Sequence, residues 1–114
     1  MTSAVDPDRL KAYSFLLFTK LDGAITAGMV HLGDQLGLYR AMAQVQGPVT
    51  STALATATGL HERWVREWLS NQAAAKLVDY QGDGQFLLSA EAEAVLVDGA
   101  QPAYGMGMFQ RLPQ

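Results

Sequence analysis

The amino-acid sequence predicts a mainly α-helical domain with a small β-hairpin, namely a winged helix-turn-helix preceded by one or two N-terminal helices. Two observations carry this prediction. The stretch TGLHERWVREWLSNQAAAKLVDY, residues 58–80, has the pattern of a helix followed by the first strand of a hairpin. Upstream of it, apolar residues recur at helical spacing over most of the N-terminal third. With 114 residues and 49% hydrophobic content, the chain is large enough for one compact domain.

The N-terminal segment is predicted to be helical from Pro7, after a disordered stretch 1–6. Asp6 suits the N-cap and Pro7 the first helical position. One apolar stripe then contains Leu17, Phe18, Leu21, Ile25, Met29, Leu32 and Leu36. It passes through Gly23 and Gly28, so the segment is either one long helix or two helices with a bend. Phe15 and Leu16 lie off this stripe, and we therefore expect residues 10–22 to pack against another chain or domain.

The remaining elements follow from caps, breaks and periodicity. A short helix is predicted to end at Gly47-Pro48, and Thr50 caps a third helix that stops at Thr58-Gly59. Residues 60–76 form a fourth helix. A β-hairpin is predicted around the turn at 82–84, because apolar and polar residues alternate on both sides of it, with Val78 and Tyr80 before the turn and Phe86 and Leu88 after it. Ser89 is predicted to cap a last helix, which runs through Val97. We assign 7–46 to the N-terminal helices, 47–98 to the winged helix-turn-helix and 99–114 to a linker.

The charges of the fourth helix decide whether it reads DNA. Its arginines, Arg63 and Arg66, stand four residues from Glu67 and Glu62 respectively, so both are expected to pair within the helix. Residues 50–98 contain three basic and seven acidic side chains, a net charge of −4, and the turn of the hairpin carries an aspartate. Phosphate contacts supply most non-specific affinity for DNA, so DNA binding through Arg63 and Arg66 is the weaker alternative. Trp64 and Trp68 are expected to pack in the core.

The sequence offers no catalytic, cofactor-binding or metal-binding set. His31 and Asp34 share a helix face, but two ligands do not make a metal site, and we expect ordinary surface or interface residues. His61 begins a helix, where a charged imidazole would oppose the helix dipole, so we expect a neutral structural residue. The Gly-Met-Gly at 105–107 lacks the flanking strand and helix of a nucleotide loop. With no cysteine, the chain has no disulfide and no thiolate ligand.

Three segments together resemble a known bacterial family. They are GAITAGMVHLGDQLGLYRAMA (23–43), GPVTSTALATATGLHERWVREWLSNQAAAKLVDY (47–80) and the following FLLSAEAEAVLVD, and the H-E-R-x-V-R-E-W-L run is the most specific part. They resemble the N-terminal winged-helix domain of class I S-adenosylmethionine (SAM)-dependent methyltransferases, similar in layout to the dimerisation domain of plant-type O-methyltransferases. The sequence departs from that pattern at Ala53, where relatives commonly have a glutamate that completes a capping box with Thr50.

The resemblance implies a non-catalytic domain that forms a homodimer and helps to cover the substrate pocket of its own C-terminal catalytic domain. It implies SAM and a small-molecule substrate for the full-length parent, with the cofactor residues beyond Gln114 and none in this fragment. Candidates for dimer or lid contacts are Phe15, Leu16, Phe18 and Met29, with Tyr104, Met106 and Met108 near the linker. Phe18 and Met29 belong to the apolar stripe, so filling the core of their own chain is an equal alternative.

Three hypotheses remain after the sequence is read. The first is the methyltransferase N-terminal domain, the second a stand-alone winged-helix transcriptional regulator, and the third a pure dimerisation module without a ligand. The N-terminus lacks the basic-then-apolar order of a signal peptide. Lys20 and Asp22 interrupt the most apolar region, so we expect no membrane span and a cytoplasmic protein.

Overall fold

The computed structural model describes residues 4–97, which form five helices and a two-stranded hairpin. The elements are α1 (Pro7–Gln35), α2 (Leu38–Val45), α3 (Ser51–Thr58), α4 (Glu62–Ala74), β1 (Asp79–Tyr80), β2 (Phe86–Leu87) and α5 (Ala90–Leu96). This order confirms the predicted fold class. The predicted linker at 99–114, with Tyr104, Met106 and Met108, lies outside the described residues.

The first helix is one continuous element of 29 residues, which resolves the alternative left open by its two glycines. The Asp6 carboxylate accepts hydrogen bonds from the backbone N–H groups of Asp8 (2.9 Å) and Arg9 (3.4 Å), so the predicted cap is confirmed. At a rise of 1.5 Å per residue, α1 is about 43 Å long. It ends just before Gly37, whose φ of 74° turns the chain into α2.

Caps also set the ends of the helix-turn-helix, α3 and α4. The Thr50 hydroxyl accepts from Ala53 N–H at 3.1 Å, and Gly59 ends α3 with a φ of 73°. The N-cap of α4 is His61, whose ring Nδ1 accepts from Arg63 N–H at 3.2 Å. Because His61 caps from outside, α4 starts two residues later than the sequence pattern indicated.

The core lies where α2, α3 and α4 meet the wing and the end of α1. Leu54 and Leu69 are fully buried in it, and Val78 anchors the start of the wing. The two strands pair antiparallel, and Phe86 also exchanges two 2.8 Å backbone hydrogen bonds with Val49. The wing is thereby tied to the segment that leads into α3.

Tyr80 does not point into the core as the strand alternation predicted. It is exposed, its ring packs on Phe86 with centroids 5.0 Å apart, and its hydroxyl accepts from Gly84 N–H at 3.1 Å. Strand β1 is only two residues long, so its second residue, Tyr80, covers the edge of the hairpin instead of entering the core.

Candidate functional site

The first half of α1 has no covering partner within the described residues. Phe15 is 67% exposed and Phe18 64%, and the exposure continues past the midpoint of the helix to Ile25, which is 61% exposed. Leu10, Tyr13, Leu16, Leu17 and Leu21 are exposed as well. Isolated apolar residues are normal at a protein surface, but a contiguous apolar helix surface marks an interaction site. The exposure of Phe18 excludes the alternative that it fills the core of its own chain, whereas Met29 is half-buried and packs against that core.

The second half of α1 is held against α4 by a close helix contact. Trp68 is buried and donates its indole N–H to the Met29 carbonyl oxygen at 2.9 Å. The ring lies directly over Gly33, where an added Cβ would come within 2.4 Å of the indole. Tyr39 packs against the Trp68 ring in an edge-to-face arrangement, with centroids 5.0 Å apart. A glycine is therefore required at residue 33 for α1 and α4 to approach this closely.

Two polar contacts fix the junction at which α2 meets its neighbours, a buried one to α4 and a half-buried one to α1. The Tyr39 hydroxyl donates to the side-chain carbonyl of the fully buried Gln72. Arg40 contacts Asp34 twice: one guanidinium nitrogen lies 3.2 Å from the carboxylate and another donates to the backbone carbonyl at 2.9 Å. Burial, and secondarily the negative charge of Asp34, raises the pKa of the Tyr39 hydroxyl well above its ordinary value. Tyr39 is consequently a permanent hydrogen-bond donor at this junction.

Asp34 is not the surface residue that the sequence suggested. It is 8% exposed and its carboxylate is paired with Arg40, a residue of the next helix. His31 is partly buried, and among residues 4–97 its Nδ1 has no hydrogen-bond partner. In the same range, no group of three His, Cys, Asp or Glu side chains is arranged to hold a metal ion. Asp34 is thus part of the junction between α1 and α2.

An apolar groove of about 480 Å³ runs between the end of α1 and α4. Its walls are formed by Met29, Leu32, Leu36, Leu38, Leu60, His61, Trp64, Val65, Glu67 and Trp68. Trp64 was expected in the core but is 74% exposed, so that prediction is wrong for Trp64 and confirmed for Trp68. We call this surface the Trp64 groove. Sequence reasoning missed it because its two walls are far apart in the chain.

The outer face of α4 carries the DNA-contact candidates. Arg66 lies 3.5 Å from Glu62, which confirms the better of the two predicted pairs, whereas Arg63 and Glu67 form no ion pair in the described part of the chain. The cleft between α4 and the wing is lined by Ser51, Arg66, Ser70, Ala73, Ala74, Tyr80, Gly84 and Phe86. Arg66 is the basic residue in that lining, and it is already paired.

These features define a winged helix-turn-helix domain with an uncovered N-terminal helix and a recognition helix whose charges are partly self-paired. The chain belongs to the family of Rv2258c-like winged HTH domains, whose model matches residues 24–97. Residues 7–23, which include the uncovered half of α1, precede the matched region.

The relatives of this chain include small-molecule methyltransferases. The chain is 36% identical over 94 residues to the mitomycin biosynthesis 6-O-methyltransferase of Streptomyces lavendulae, a match that covers 82% of this chain and 26% of that protein. Its fold matches the structure of the mitomycin 7-O-methyltransferase MmcR at 32% identity and a TM-score of 0.78, over 95% of this chain and 32% of that one. CalO1, a methyltransferase in calicheamicin biosynthesis with SAH bound, matches at 30% identity and a TM-score of 0.70, over 93% and 31%. The chain thus spans about a quarter to a third of these proteins.

The Trp64 groove is a poor fit to SAM. SAM presents charged and hydroxylated groups, whereas this groove is apolar apart from His61 and Glu67. We therefore assign no cofactor contact to the Trp64 groove.

Among residues 4–97, one helix is long and apolar enough to cross a membrane, judged by length and composition alone. It is α1, with a mean hydropathy of 1.2 over its best 18-residue window and 6% of that window buried. Any such window within α1 includes both Lys20 and Asp22. A single helix of this kind near an N-terminus is weak evidence for a membrane span, and we interpret its apolar surface as a protein contact.

Proposed function

We propose that this chain is the non-catalytic N-terminal domain of a SAM-dependent small-molecule methyltransferase, that it forms a homodimer, and that it helps to cover the substrate pocket. The proposal depends on one observation: the apolar surface of α1 and the Trp64 groove are exposed, whereas the other large apolar side chains of the domain are mostly packed in its core. The methyltransferase relatives support methyl transfer as the reaction of the full-length protein. This chain matches only 26–32% of their length, and in the proposal a catalytic domain corresponds to the remainder.

In this proposal, the domain contributes positioning and exclusion of water. Methyl transfer from a sulfonium to a nucleophile is an in-line displacement, which depends on holding the two reacting groups in contact. An apolar surface brought over a pocket would favour that geometry by removing water. Phe15, Leu16, Phe18 and Met29 remain our candidates for dimer or lid contacts, and Tyr104, Met106 and Met108 for contacts near the linker.

The intact mass of the native protein in its source cells tests whether this domain belongs to a longer methyltransferase. We expect a mass well above 12.3 kDa, the mass of this chain. A native mass of 12.3 kDa would refute the methyltransferase parent and leave a free-standing module.

Sedimentation of the 114-residue chain tests the homodimer. We expect a dimer at micromolar concentration, because the exposed side chains of α1 are large and contiguous. A monomer at all concentrations would contradict this part of the proposal.

The alternative function, a DNA-binding regulator, would use Arg63 and Arg66. Titration with duplex DNA at two salt concentrations tests it, because real phosphate contacts weaken steeply with salt. We expect no salt-dependent binding, since Arg66 is paired with Glu62. Tight binding that Arg63→Ala and Arg66→Ala abolish would favour the regulator.

A further inference from the structure

The first part of α1, residues 7–25, is a helix that packs against no other element among the described residues. Every residue from Ala4 to Ile25 is exposed. Partial burial begins at Thr26, and Val30 is the first buried residue of the helix, at 2% exposure. In folded proteins, most of the stability of a helix comes from packing one of its sides against a neighbour. Residues 7–25, which we call the α1 extension, have only local interactions to hold them in a helix when the chain is alone.

These local interactions are weak. Asp6 caps the first turn, but among residues 4–97 no ion pair involves a side chain of the α1 extension. The Thr19 hydroxyl donates to the Leu16 carbonyl at 2.6 Å, a bond of the kind that weakens a helix. Eight of the thirteen residues at 13–25 are weak helix formers: Tyr13, Ser14, Phe15, Phe18, Thr19, Asp22, Gly23 and Ile25. Each lowers the helix population about two- to threefold relative to alanine, and glycine about fivefold.

Two glycines lie on either side of the point where burial begins. Gly33 is required by the close approach of Trp68, but a side chain at Gly23 or Gly28 would meet no atom within 4 Å. These two glycines are five residues apart, about 140° around the helix, so one neighbouring helix cannot approach both closely. Packing among the described residues therefore explains neither of them. What they share is a low helix propensity, which makes the helix easy to end between residues 23 and 28.

Within the homodimer of the proposed function, on which this inference rests, we propose that the α1 extension is helical only while it is covered. In the single chain it unfolds back to the boundary between Gly23 and Gly28. Helix formation and assembly are then one event, and the affinity of the two copies is lowered by the small fraction of single chains with a complete α1. The helix propensity of the extension thereby regulates the protein concentration at which the dimer, and with it the cover of the substrate pocket, is formed.

Gly23→Ala tests the coupling without changing the apolar side of the helix. Gly23 is two residues from both Leu21 and Ile25, about 200° around the helix, so a methyl group there points away from what covers them. Alanine should raise the fraction of complete helix about fivefold in each chain. Because both chains of the dimer fold, sedimentation equilibrium should show a dimer dissociation constant about 20-fold lower than that of the unsubstituted chain.

Gly28→Ala is the matched control. It makes the same exchange in open space, but in the part of α1 that stays helical in both states. The alanine then favours the helix equally in the single chain and in the dimer, so the dissociation constant should change by less than about twofold. An equal dissociation constant for Gly23→Ala and the unsubstituted chain would mean that α1 is complete before assembly, and would overturn the inference.

Thr19→Ala repeats the test at a second position. Thr19 also lies about 200° from Leu17 and Leu21, and the substitution removes the hydroxyl that bonds to the Leu16 carbonyl. We expect a dissociation constant about five- to tenfold lower. A weaker dimer in both Thr19→Ala and Gly23→Ala would show that this side of the helix is itself a contact surface, and would overturn the inference.

Hydrogen exchange of the 114-residue chain observes the unfolding directly. Leu10 N–H is the first amide that bonds within α1, so the amides at 10–25 report on the extension and those at 30–35 on the covered part. Far above the dissociation constant, we expect the amides at 10–25 to exchange at least about tenfold more slowly than far below it. The amides at 30–35 should be protected in both conditions. Equal protection of residues 10–25 at both concentrations would overturn the inference.

The same exchange data separate the failure of this inference from the failure of the proposed function. A chain that sediments as a monomer at all concentrations, with residues 10–25 unprotected, would refute the homodimer and support the unfolding of an uncovered extension. A monomer with residues 10–25 protected would overturn both. A dimer in which residues 10–25 exchange freely would leave homodimerisation intact and overturn the inference, because assembly would then not order the extension.

Discussion

Replacement of Gly33 by alanine should destabilise the domain, although alanine is the better helix former. A Cβ at this position would lie 2.4 Å from the nearest carbon of Trp68 and 2.9 Å from Tyr39, whereas ordinary contacts begin at 3.4 Å. The indole would have to move by about 1 Å in a close-packed interior. It is held by its 2.9 Å hydrogen bond to the Met29 carbonyl and by the ring of Tyr39, so the strain cannot be relieved freely.

The magnitude follows from three effects. Overpacking a core costs about 1–3 kcal/mol, and weakening the indole hydrogen bond adds about 1 kcal/mol. Alanine recovers about 1 kcal/mol of helix propensity relative to glycine. The net loss is about 2 kcal/mol, which corresponds to a decrease in Tm of roughly 8–16 °C for a domain of this size. Urea unfolding and thermal melting by circular dichroism, at one fixed protein concentration, measure both quantities.

Gly23→Ala is the matched control on the same helix. A side chain at residue 23 meets no atom within 4 Å, so the substitution should stabilise the chain by up to about 1 kcal/mol. The reasoning is refuted if Gly33→Ala is as stable as the unsubstituted chain while Gly23→Ala shows its expected gain. That result would mean that Trp68 can move away from α1 at no cost.

Two further predictions concern the junction and the caps. Because the pKa of Tyr39 is higher in the folded state than in the unfolded chain, the unfolded state ionises first as pH rises above about 10, and stability should then fall by up to about 1.4 kcal/mol per pH unit. Urea unfolding between neutral and alkaline pH measures this fall in stability. If Tyr39→Phe loses stability with pH as steeply as the unsubstituted chain, the fall does not come from ionisation of Tyr39. Thr50→Ala should cost about 1 kcal/mol through loss of the α3 cap, whereas Thr56→Ala, which removes only an exposed bond within the helix, should have little effect on the same assay.

Local sequence signals were sufficient for the helices, the caps and the wing. Asp6, Thr50 and Ser89 cap helices where the sequence placed them, because an N-cap depends on a side chain and a backbone N–H only two or three residues away. Gly59 ends α3 as predicted, because glycine adopts a positive φ without strain. The continuity of α1 could not be read in the same way. A glycine weakens a helix without ending it, so Gly23 and Gly28 were compatible with either outcome.

Local sequence signals did not predict which side chains of the candidate site are buried. Trp64 and Trp68 are one helical turn apart and looked equivalent, yet one is 74% exposed and the other 2%. The difference comes from α1. Gly33 leaves space for the Trp68 ring, whereas Trp64 lines one side of an open groove that no other described residue covers. Asp34 is buried for a similar reason, since Arg40 of the next helix supplies its counter-charge.

The sequence by itself determined the winged-helix class, most of the helix caps, the lack of net positive charge on α4 and the apolar character of α1. Only the tertiary structure decided which of those apolar side chains the domain covers. Helical periodicity shows which residues share a side of a helix, but burial depends on whether a neighbouring element is present at that side. Within residues 4–97, the neighbours of α1 cover it only from about residue 26 onward, and the apolar side chains before that point are exposed.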